Sequence, residues 1–544
     1  MEEYLKQQLS EALSSFSIDS SEIPDIVIER PREASHGDAA TNLAMLLAKP
    51  LRKNPRQIAE ELIEQLKTDP AKIASVEVAG PGFINFRFAE NYLFDSLAEL
   101  LQQESDFGKN HLYSEKRILI EFVSANPTGP LTVGHGRNAV LGDTIARLYE
   151  WCGAKVQREY YFNNAGRQMR VLGQSVQARY LEEIGRESEF PEGGYEGEYI
   201  REIAAALAGE KGDSLVKATD EEEFKKRAES EIFKDISTTL ERMGIRMDSF
   251  FNEYTLYEDG SIDRVVNALR KKGLVYDKDG AVWFRTTQYG KETDTVLVKS
   301  TGEPTYRLPD IAYHANKLDR GFDLCIDIFG ADHIDTYPDV LNGIEALGYD
   351  ASKVDVLVYQ FVTIVKDGKP YKMSTRKANF VTLDELMDEV GPDVTRFFFL
   401  MRSPSTHLEF DIAQAKEAGE KNPVFYLQYA HARIESILRK SNEAGGFSGE
   451  PDLTLLVHET EIRLIKEMIR FPEVVQSAAV SQEPHRLIQF LNELASSFTS
   501  FYHDCRIIGE EPGLMHARSE LAKGVAQVLA DGLGILGIDA PDQM

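Results

Sequence analysis

Apolar residues recur with two different periods in the first part of the chain. Three leucines from Leu5 to Leu13 are spaced four residues apart, which predicts an amphipathic helix at the N-terminus. Residues 83–88 alternate apolar and polar, as in a half-buried strand, and residues 26–28 form a second strand-like run. Helix and strand patterns mixed in this way predict a small α+β domain over residues 1–110.

A strand, a turn, a helix and a second strand follow in succession. Residues 117–123 are a continuous apolar run, typical of a buried parallel strand, and residues 126–130 form a turn rich in Pro and Gly. The next helix is ended by Gly153 and presents one apolar face, which consists of Leu141, Ile145, Leu148 and Cys152. With a strand at residues 155–162, this is a βαβ unit, whose turn lies at the carboxyl edge of the sheet, where ligands bind.

The remainder of the chain changes from mixed to helical patterns. Residues 167–250 are helical and rich in charge, which favours a solvated insertion. Strand-like runs at residues 281–285, 324–329 and 354–365 are expected to continue the same sheet. Helical periodicity dominates after residue 416, which predicts a terminal helical bundle.

These elements predict a multidomain α/β protein. It would combine a Rossmann-like parallel-sheet domain with inserted segments, a small α+β N-terminal domain and a C-terminal α-helical bundle. The expected boundaries are 1–110 for the N-terminal domain, 111–380 for the parallel-sheet domain, 381–415 for a connector and 416–544 for the bundle, with the helical insertion near 167–250.

The composition restricts the possible partners. The 544 residues include 61 Lys and Arg against 89 Asp and Glu, so the formal net charge is −28. A field of that sign repels phosphate, so any RNA would have to be bound by local basic patches and by shape. The three cysteines, Cys152, Cys325 and Cys505, are too far apart for a zinc knuckle or a disulfide framework, which fits a reduced cytosol. The first residues lack a basic-then-apolar run and no apolar stretch is long enough for a membrane helix, so we expect neither export nor membrane insertion.

Residues 125–136 combine glycines with a histidine where a helix is predicted to begin. The glycines allow a nucleotide to approach the backbone, and the free N–H groups of the helix that starts near His135 attract phosphate. His135 can donate to a phosphoryl oxygen or to a ribose group. Taken alone, the stretch also fits a Gly/Pro-rich turn capped by a histidine.

Residues 366–377 form a basic segment in an otherwise acidic chain. Five cations fall within these twelve residues, which also contain the turn dipeptide Asp367-Gly368. A basic loop over a triphosphate would neutralise the charge that develops on departing pyrophosphate. The alternative is an ordinary solvated surface.

Together the two segments carry a family resemblance. Val133-Gly134-His135, with Lys372-Met373-Ser374 far downstream, resembles the paired HIGH and KMSKS signatures of class I aminoacyl-tRNA synthetases. The sequences of residues 121–130, 305–312 and 427–433 resemble those of the bacterial type of arginyl-tRNA synthetase. The resemblance extends over the whole chain. Two positions depart from the signatures, because Thr132 replaces the first histidine and Thr375 replaces the second lysine.

The resemblance implies roles for both segments in ATP chemistry. It places four residues at the reacting phosphates, namely His135, Lys372, Ser374 and Arg376. It assigns the ATP site to Thr132, Gly134, His135, Asp332, His333 and Met373. ATP would arrive with Mg²⁺, and no resident metal site is expected. For Asp332 and His333, a capping aspartate beside a packed histidine is an equally open interpretation.

A pocket for arginine needs carboxylates in a forked arrangement, because the guanidinium is planar, always charged and carries five N–H donors. Glu121 and Asp310 are the candidates, and Glu121 interrupts an apolar strand where an unpaired charge would be costly. The resemblance sets both against the guanidinium, with Tyr306 beside it and Asn126 on the α-amino or carboxylate end. A structural partner for either carboxylate, such as an arginine in the sheet, is the alternative.

The resemblance also implies RNA contacts at both ends of the chain. In the N-terminal domain, Phe83 and Asn85 match positions that meet the tRNA elbow in the family. In the anticodon-binding bundle, the expected contacts are Tyr426, Tyr429, Arg433 and the final residue, Met544. Tyr429 could instead be packed in the core.

The leading hypothesis is a cytoplasmic, monomeric arginyl-tRNA synthetase that binds L-arginine, ATP and tRNA(Arg) and no membrane. It would form arginyl-adenylate and transfer the arginyl group to the terminal ribose of the tRNA, by positioning and charge stabilisation. Two alternatives stay open. One is a catalytically silent paralogue, suggested by Thr132 and Thr375, and the other is a class I synthetase for another amino acid, such as cysteine.

Overall fold

The N-terminal region of this computed structural model is a small α+β domain. The structure describes residues 1–31, 33–216, 221–371, 381–419, 421–445, 447 and 449–544. The domain's elements are α1 (Glu2–Leu13), β1 (Ala39–Thr41), α2 (Leu43–Leu51), α3 (Pro55–Gln65), β2 (Ile73–Ala79), β3 (Phe83–Phe88) and α4 (Glu90–Gln103). The strands form an antiparallel sheet in the order β1-β3-β2, around a hydrophobic core of the domain's own.

One short strand predicted in this domain is wrong. Residues 26–28 belong to no strand, and only Glu29 forms an isolated bridge to Ala40. An apolar triplet is too short to specify a pairing partner, and β1 already covers that edge of β3. The alternation along β3 is as predicted, because Ile84 and Phe86 are fully buried.

A five-stranded parallel sheet forms the centre of the molecule. It begins with the predicted βαβ unit, β4 (Arg117–Glu121), α5 (Val133–Trp151) and β5 (Lys155–Phe162). The apolar face predicted for α5 is buried throughout. After β5 come three helices and a strand that joins the sheet, α6 (Arg167–Glu183), α7 (Glu198–Lys211), α8 (Glu221–Arg242) and β6 (Ser249–Asn252).

The helices between β5 and β6 are more than a solvated insertion. Their outer faces carry the predicted charges, but residues such as Met169, Ile200 and Phe224 are buried in the same hydrophobic cluster as α5. These helices therefore help to cover one side of the parallel sheet.

The next strands form a separate sheet. In chain order the elements are α9 (Tyr254–Glu258), α10 (Ser261–Lys271), β7 (Val275–Lys278), β8 (Ala281–Phe284) and β9 (Thr295–Val298). The expectation that residues 281–285 continue the parallel sheet is wrong, because β8 pairs antiparallel with β7 and β9. A local apolar pattern reports burial and cannot specify which strand lies alongside.

The chain then returns to the parallel sheet. The elements are α11 (Arg307–Asp319), β10 (Leu324–Gly330), α12 (Tyr337–Leu347), β11 (Val354–Tyr359), β12 (Val362–Lys366) and β13 (Lys369–Pro370). The sheet order is β11-β10-β4-β5-β6, which confirms a doubly wound arrangement. The run at residues 354–365 splits at Gln360, and its second half pairs with β13 and a later strand.

Helices dominate the rest of the chain, as predicted. They are α13 (Leu383–Val390), α14 (Pro392–Leu400), α15 (Ile412–Ala415), α16 (Pro423–Gly445), α17 (Glu459–Met468), α18 (Phe471–Ser481), α19 (His485–Asp504) and α20 (Pro512–Leu536). One strand, β14 (Leu408–Asp411), precedes α15 and pairs with β12. The N-terminal domain contacts this bundle through an ion pair of 2.6 Å between Asp38 and Lys466. The predicted fold class is confirmed. Within the described ranges, no helix has the length and apolarity needed to cross a membrane.

A buried carboxylate joins the parallel-sheet region to the helical bundle. Asp143 on α5 accepts bonds from Arg147 (2.8 Å), Arg158 (3.3 Å) and Arg396 (2.7 Å). Arg396 also donates to the carbonyl oxygens of Met243 (2.8 Å) and Leu536 (3.0 Å). Burial alone would raise the pKa of Asp143, but the three arginines lower it below its ordinary value.

We predict that Asp143→Ala strongly destabilises the protein. The substitution leaves Arg396, which is fully buried, without the carboxylate that forms an ion pair with it, and such a loss costs about 3–5 kcal/mol. Asp277→Ala is the control, because its pair with Arg270 is exposed and should contribute no more than about 1 kcal/mol. Urea and thermal unfolding midpoints measure both effects, and equal midpoints would contradict the prediction.

Candidate active site

The carboxyl end of β4 is a strained turn held by one asparagine. Val123 and Ser124 have φ values of +66° and +41°, in the left-handed region that side chains rarely adopt. Asn138 on α5 accepts a bond of 2.6 Å from the Val123 N–H and donates one of 2.8 Å to the carbonyl oxygen of Ile328 on β10. The asparagine therefore ties the ends of two neighbouring strands to the start of α5.

The start of α5 is a capping box built from Thr132 and His135. The Thr132 Oγ1 atom accepts a bond of 3.4 Å from the His135 N–H, and the Thr132 N–H donates one of 3.1 Å to His135 Nδ1. Because a backbone N–H can only donate, Nδ1 is the accepting nitrogen and the ring proton lies on Nε2. Burial lowers the pKa of His135, which favours the neutral ring, although the charge of Asp332 partly opposes this shift. His135 can therefore offer an Nε2–H donor at a helix N-terminus.

The other residues predicted for the ATP site lie at the same edge of the sheet. Gly134 has room for close approach, since a Cβ atom there would meet only Thr132 Oγ1, at 3.6 Å. Asp332 and His333 directly follow β10 and are exposed, and the His333 ring stacks on Phe329 with centroids 5.3 Å apart. The structure thus brings Thr132, Gly134, His135, Asp332 and His333 to the carboxyl edge of β4 and β10.

Three carboxylates lie side by side across the buried face of the sheet. Asp327 on β10 is in register with Glu121 on β4, and Glu121 is in register with Glu159 on β5. Cations from α11 and from its C-cap residue, Arg320, meet this row. The Lys317 Nζ atom donates to Glu121 and to Asp327, both at 2.5 Å, and Arg320 forms a forked pair with Glu159 at 2.6 Å.

His314 is a further partner of the carboxylates in this layer. Its Nε2 atom lies 2.7 Å from a carboxylate oxygen of Asp327, and its Nδ1 atom lies 2.7 Å from the carbonyl oxygen of Asp310. Both partners are oxygen acceptors, so each ring nitrogen faces an acceptor. Burial alone would raise the pKa of Asp327, but Lys317 and His314 hold it well below its ordinary value.

Asp310 differs from these carboxylates because it lacks a cation of its own. It is half-buried, and no hydrogen bond reaches its carboxylate from the part of the chain that the structure describes. Burial is the main cause that raises the pKa of Asp310 to about 7; the charges of Glu121 and Glu253 add to the shift, whereas those of His314 and Lys317 partly oppose it. A carboxylate in this environment is poised to receive a cationic ligand.

Glu253 is a second carboxylate at this position, and the sequence analysis missed it. It is 6% exposed and accepts bonds from the hydroxyl groups of Tyr161 (2.9 Å) and Tyr257 (3.3 Å). Burial raises the pKa of Glu253. Its signal was its position directly after β6, at the same carboxyl edge, but residues 249–252 were not recognised as a strand.

The other residues predicted to bind arginine are Glu121, Tyr306 and Asn126, and their environments differ from that of Asp310. Both carboxylate oxygens of Glu121 already accept bonds from the protein, one from Lys317 and one from Ser124 Oγ (2.8 Å). Tyr306 is 76% exposed at the start of α11, and Asn126 is exposed in the turn after β4. Among the described residues, Asp310 and Glu253 are therefore the buried carboxylates of this site that form no ion pair.

Comparison with known proteins identifies the family. Residues 96–397 match the catalytic domain of the class I tRNA synthetases (R), residues 3–88 match the arginyl tRNA synthetase N-terminal domain, and residues 427–544 match the DALR anticodon binding domain. An arginine–tRNA ligase from Salinibacter ruber is 54% identical, with all of both chains covered. The chain belongs to the arginyl-tRNA synthetase family. It is an aminoacyl-tRNA ligase, and the resemblance stated from the motifs is confirmed.

Further relatives agree with this membership. An arginine–tRNA ligase from Desulfotalea psychrophila is 52% identical, covering 95% of this chain and 94% of its own. The solved arginyl-tRNA synthetase from Thermus thermophilus covers 100% of both chains with a TM-score of 0.81; at 24% identity it supports the fold. Four residues proposed for the synthetase's catalytic loop, Lys372, Met373, Ser374 and Arg376, lie outside the described residues.

The residues predicted to meet tRNA lie on two accessible surfaces of the synthetase. Phe83 and Asn85 are half-buried on the outer face of β3. On α16, Tyr429 is 47% exposed, so it is not a core residue, and Arg433 lies over the Tyr502 ring at 4.8 Å. Tyr426 is half-buried on the same helix.

The end of the chain lies against α16. The ring of His431 lies 3.0 Å from the carbonyl oxygen of Pro541, and Gln428 donates to the carbonyl oxygen of Asp539 at 2.9 Å. Met544 is 60% exposed. The structure therefore brings the chain terminus alongside the helix that carries Tyr429 and Arg433.

We predict that arginine binding weakens below neutral pH. Only the charged form of Asp310 attracts a guanidinium, and because its pKa is raised to about 7 the proton must leave as arginine binds. Affinity should therefore fall by up to about tenfold for each pH unit below 7 and level off above it. Calorimetric titration with L-arginine at pH 6, 7 and 8 measures this, and Asp310→Asn should bind weakly at every pH. Equal affinity of the unaltered enzyme at pH 6 and 8 would contradict the prediction.

Proposed function

We propose that this synthetase selects arginine with Asp310 and Glu253 and activates it with ATP held at the start of α5. The observation that carries the proposal is the Asp310 carboxylate, which is half-buried and has no hydrogen-bond partner in the described part of the chain. Glu253 is near enough for its charge to raise the pKa of Asp310. Two such carboxylates can accept the forked N–H donors of a guanidinium, whereas the compact ammonium of lysine would use them poorly.

The remaining pocket residues are proposed to hold the other parts of arginine. Tyr306 would cover the guanidinium, since its exposed ring begins the helix that carries Asp310. Asn126 would bind the α-amino or carboxylate end from the turn after β4. Glu121 would not contact arginine; it would support the pocket from beneath through its bonds to Lys317 and Ser124. The substrate carboxylate would then face the N-terminus of α5.

ATP is proposed to bind at that N-terminus. The free N–H groups of α5 and the Nε2–H of His135 would contact its phosphates, with Thr132, Gly134, Asp332 and His333 around the nucleotide. From the signature loop, Lys372, Ser374 and Arg376 would stabilise departing pyrophosphate, and Met373 would contact the nucleotide.

Mg²⁺ is proposed to enter on the phosphates of ATP. Among the described residues, no group of three or more His, Cys, Asp or Glu side chains is arranged to hold a metal ion. Phosphate oxygens are the usual ligands of Mg²⁺ in such sites.

The proposed reaction has two steps. The arginine carboxylate attacks the α-phosphorus of ATP, forming arginyl-adenylate and releasing pyrophosphate. The terminal ribose hydroxyl of tRNA(Arg) then takes the arginyl group and releases AMP. No protein nucleophile is needed, because positioning and charge stabilisation account for both steps. By its family, we propose that the enzyme acts in the cytoplasm, as a monomer.

Two surfaces are proposed to bind the tRNA. Phe83 and Asn85 would contact the elbow from the outer face of β3. Tyr426, Tyr429, Arg433 and Met544 would contact the anticodon loop from α16 and the adjacent chain end. Because the net charge is −28, these contacts would depend on stacking and local cations more than on the overall field.

Aminoacylation of total tRNA tests the function directly. Purified protein, ATP, Mg²⁺ and each radiolabelled amino acid in turn should give charging with arginine alone. Charging with another amino acid would identify a different class I specificity. Retained tRNA binding without any charging would identify a catalytically silent paralogue.

We predict that Tyr429→Ala raises the KM for tRNA without changing the KM for arginine. Loss of one aromatic ring that stacks on an unpaired base costs about 1–3 kcal/mol, which corresponds to a rise of roughly 5- to 150-fold. Tyr429→Phe keeps the ring and should stay near the unaltered value. An unchanged KM for tRNA in the alanine variant would remove Tyr429 from the RNA surface.

A further inference from the structure

We infer that Lys317 is a positioning residue for arginine recognition, because its ammonium occupies Glu121 and keeps that carboxylate from contacting the substrate. The inference rests on the proposed function. It assigns Glu121, which the motif resemblance places on the guanidinium, to the support of the pocket. Asp310 and Glu253 are then the carboxylates that bind the guanidinium.

Both carboxylate oxygens of Glu121 already accept a hydrogen bond from the protein. One oxygen accepts from Lys317 Nζ at 2.5 Å and the other from Ser124 Oγ at 2.8 Å. The Glu121 side chain is 5% exposed and the Lys317 side chain is 0% exposed. A guanidinium reaching Glu121 would have to displace a fully buried ammonium, which would then keep Asp327 as its single carboxylate.

The row of carboxylates requires this ammonium. Glu121 and Asp327 are register neighbours on parallel strands, where two like charges repel each other. Lys317 lies between them and also faces the Tyr313 ring, 4.3 Å from its centroid. The described cations of the row come from α11 and from its C-cap residue, Arg320, so their positions also determine how α11 packs on the sheet.

The same helix, α11, carries Asp310, the carboxylate that is proposed to bind the guanidinium. Asp310, His314 and Lys317 are spaced four and three residues apart, and so lie on one face of α11. His314 links the carbonyl oxygen of Asp310 to Asp327, the second partner of Lys317. Removing the Lys317 ammonium would therefore disturb the layer on which the Asp310 backbone rests.

A second chain of bonds runs from Lys317 to the other substrate carboxylate. Glu121 holds the hydroxyl group of Ser124, whose Oγ atom accepts the Tyr161 N–H at 3.1 Å. The hydroxyl group of Tyr161 donates to Glu253 at 2.9 Å. Lys317 thus supports both acids of the pocket, Asp310 through His314 and Glu253 through Glu121, and contacts neither.

The experiment compares Glu121→Gln with Asp310→Asn, using the KM for arginine in aminoacylation of tRNA(Arg). Glutamine can still accept from Lys317, so Glu121→Gln should change this KM by no more than about threefold. Loss of the charge on Asp310 should raise it by roughly ten- to a hundredfold. Inhibition by citrulline, a neutral analogue of arginine, gives a second readout: it should strengthen relative to arginine in Asp310→Asn and stay weak in Glu121→Gln.

Two further substitutions test Lys317 itself. Lys317→Met should raise the KM for arginine at least about tenfold with an unchanged KM for ATP, and adding Glu121→Gln should restore part of the loss, because it removes the uncompensated charge. Arg320→Met is the matched control. It removes a cation from the same helix and row, so it should lower the thermal midpoint while leaving the KM for arginine within about threefold.

The outcomes separate this inference from the proposed function. Failure of the unaltered enzyme to charge tRNA with arginine would overturn the function itself. Normal charging, combined with a Glu121→Gln variant that matches Asp310→Asn in KM and in citrulline inhibition, would overturn the inference alone. An unchanged KM for arginine in Lys317→Met would also overturn it. Should Lys317→Met fail to fold, the comparison of Glu121→Gln with Asp310→Asn still decides.

Discussion

The charged layer between α11 and the parallel sheet is the constraint on which the arginine pocket depends. Buried carboxylates are tolerated only when cations and hydrogen bonds compensate them, and here three of them are neighbours across three strands. Lys317 and His314 on α11 and Arg320 at its C-cap supply that compensation. Because each cation has a defined partner, the helix has one register on the sheet, and Asp310 receives one position in the pocket.

The strained turn after β4 connects this pocket to the N-terminus of α5, where ATP is proposed to bind. Glu121 is the last residue of β4, and the backbone turns sharply at Val123 before it reaches the capped start of α5. Asn138 holds the turn and the end of β10 together. In the proposed site, the end of one strand therefore lies between the two acids and the start of α5, so a small molecule could contact both.

Several features could be predicted from local patterns. The apolar face of α5, the alternation along β3 and the βαβ unit all follow from the spacing of neighbouring residues. The strand at residues 281–285 was predicted correctly as a strand but assigned to the wrong sheet. Glu253 was missed because β6 is short and joins the sheet only through pairing with β5.

The sequence by itself determined the family, the reaction and the residue types of the proposed nucleotide site, because contiguous motifs such as residues 121–136 specify them. Tertiary structure alone decided which of the carboxylates form ion pairs within the described residues. Glu121 and Lys317 are separated by 196 residues, and they meet only because β4 and β10 are neighbours beneath α11. Local sequence specifies the chemistry of a side chain, whereas its partner depends on which strands pair and which helix covers them.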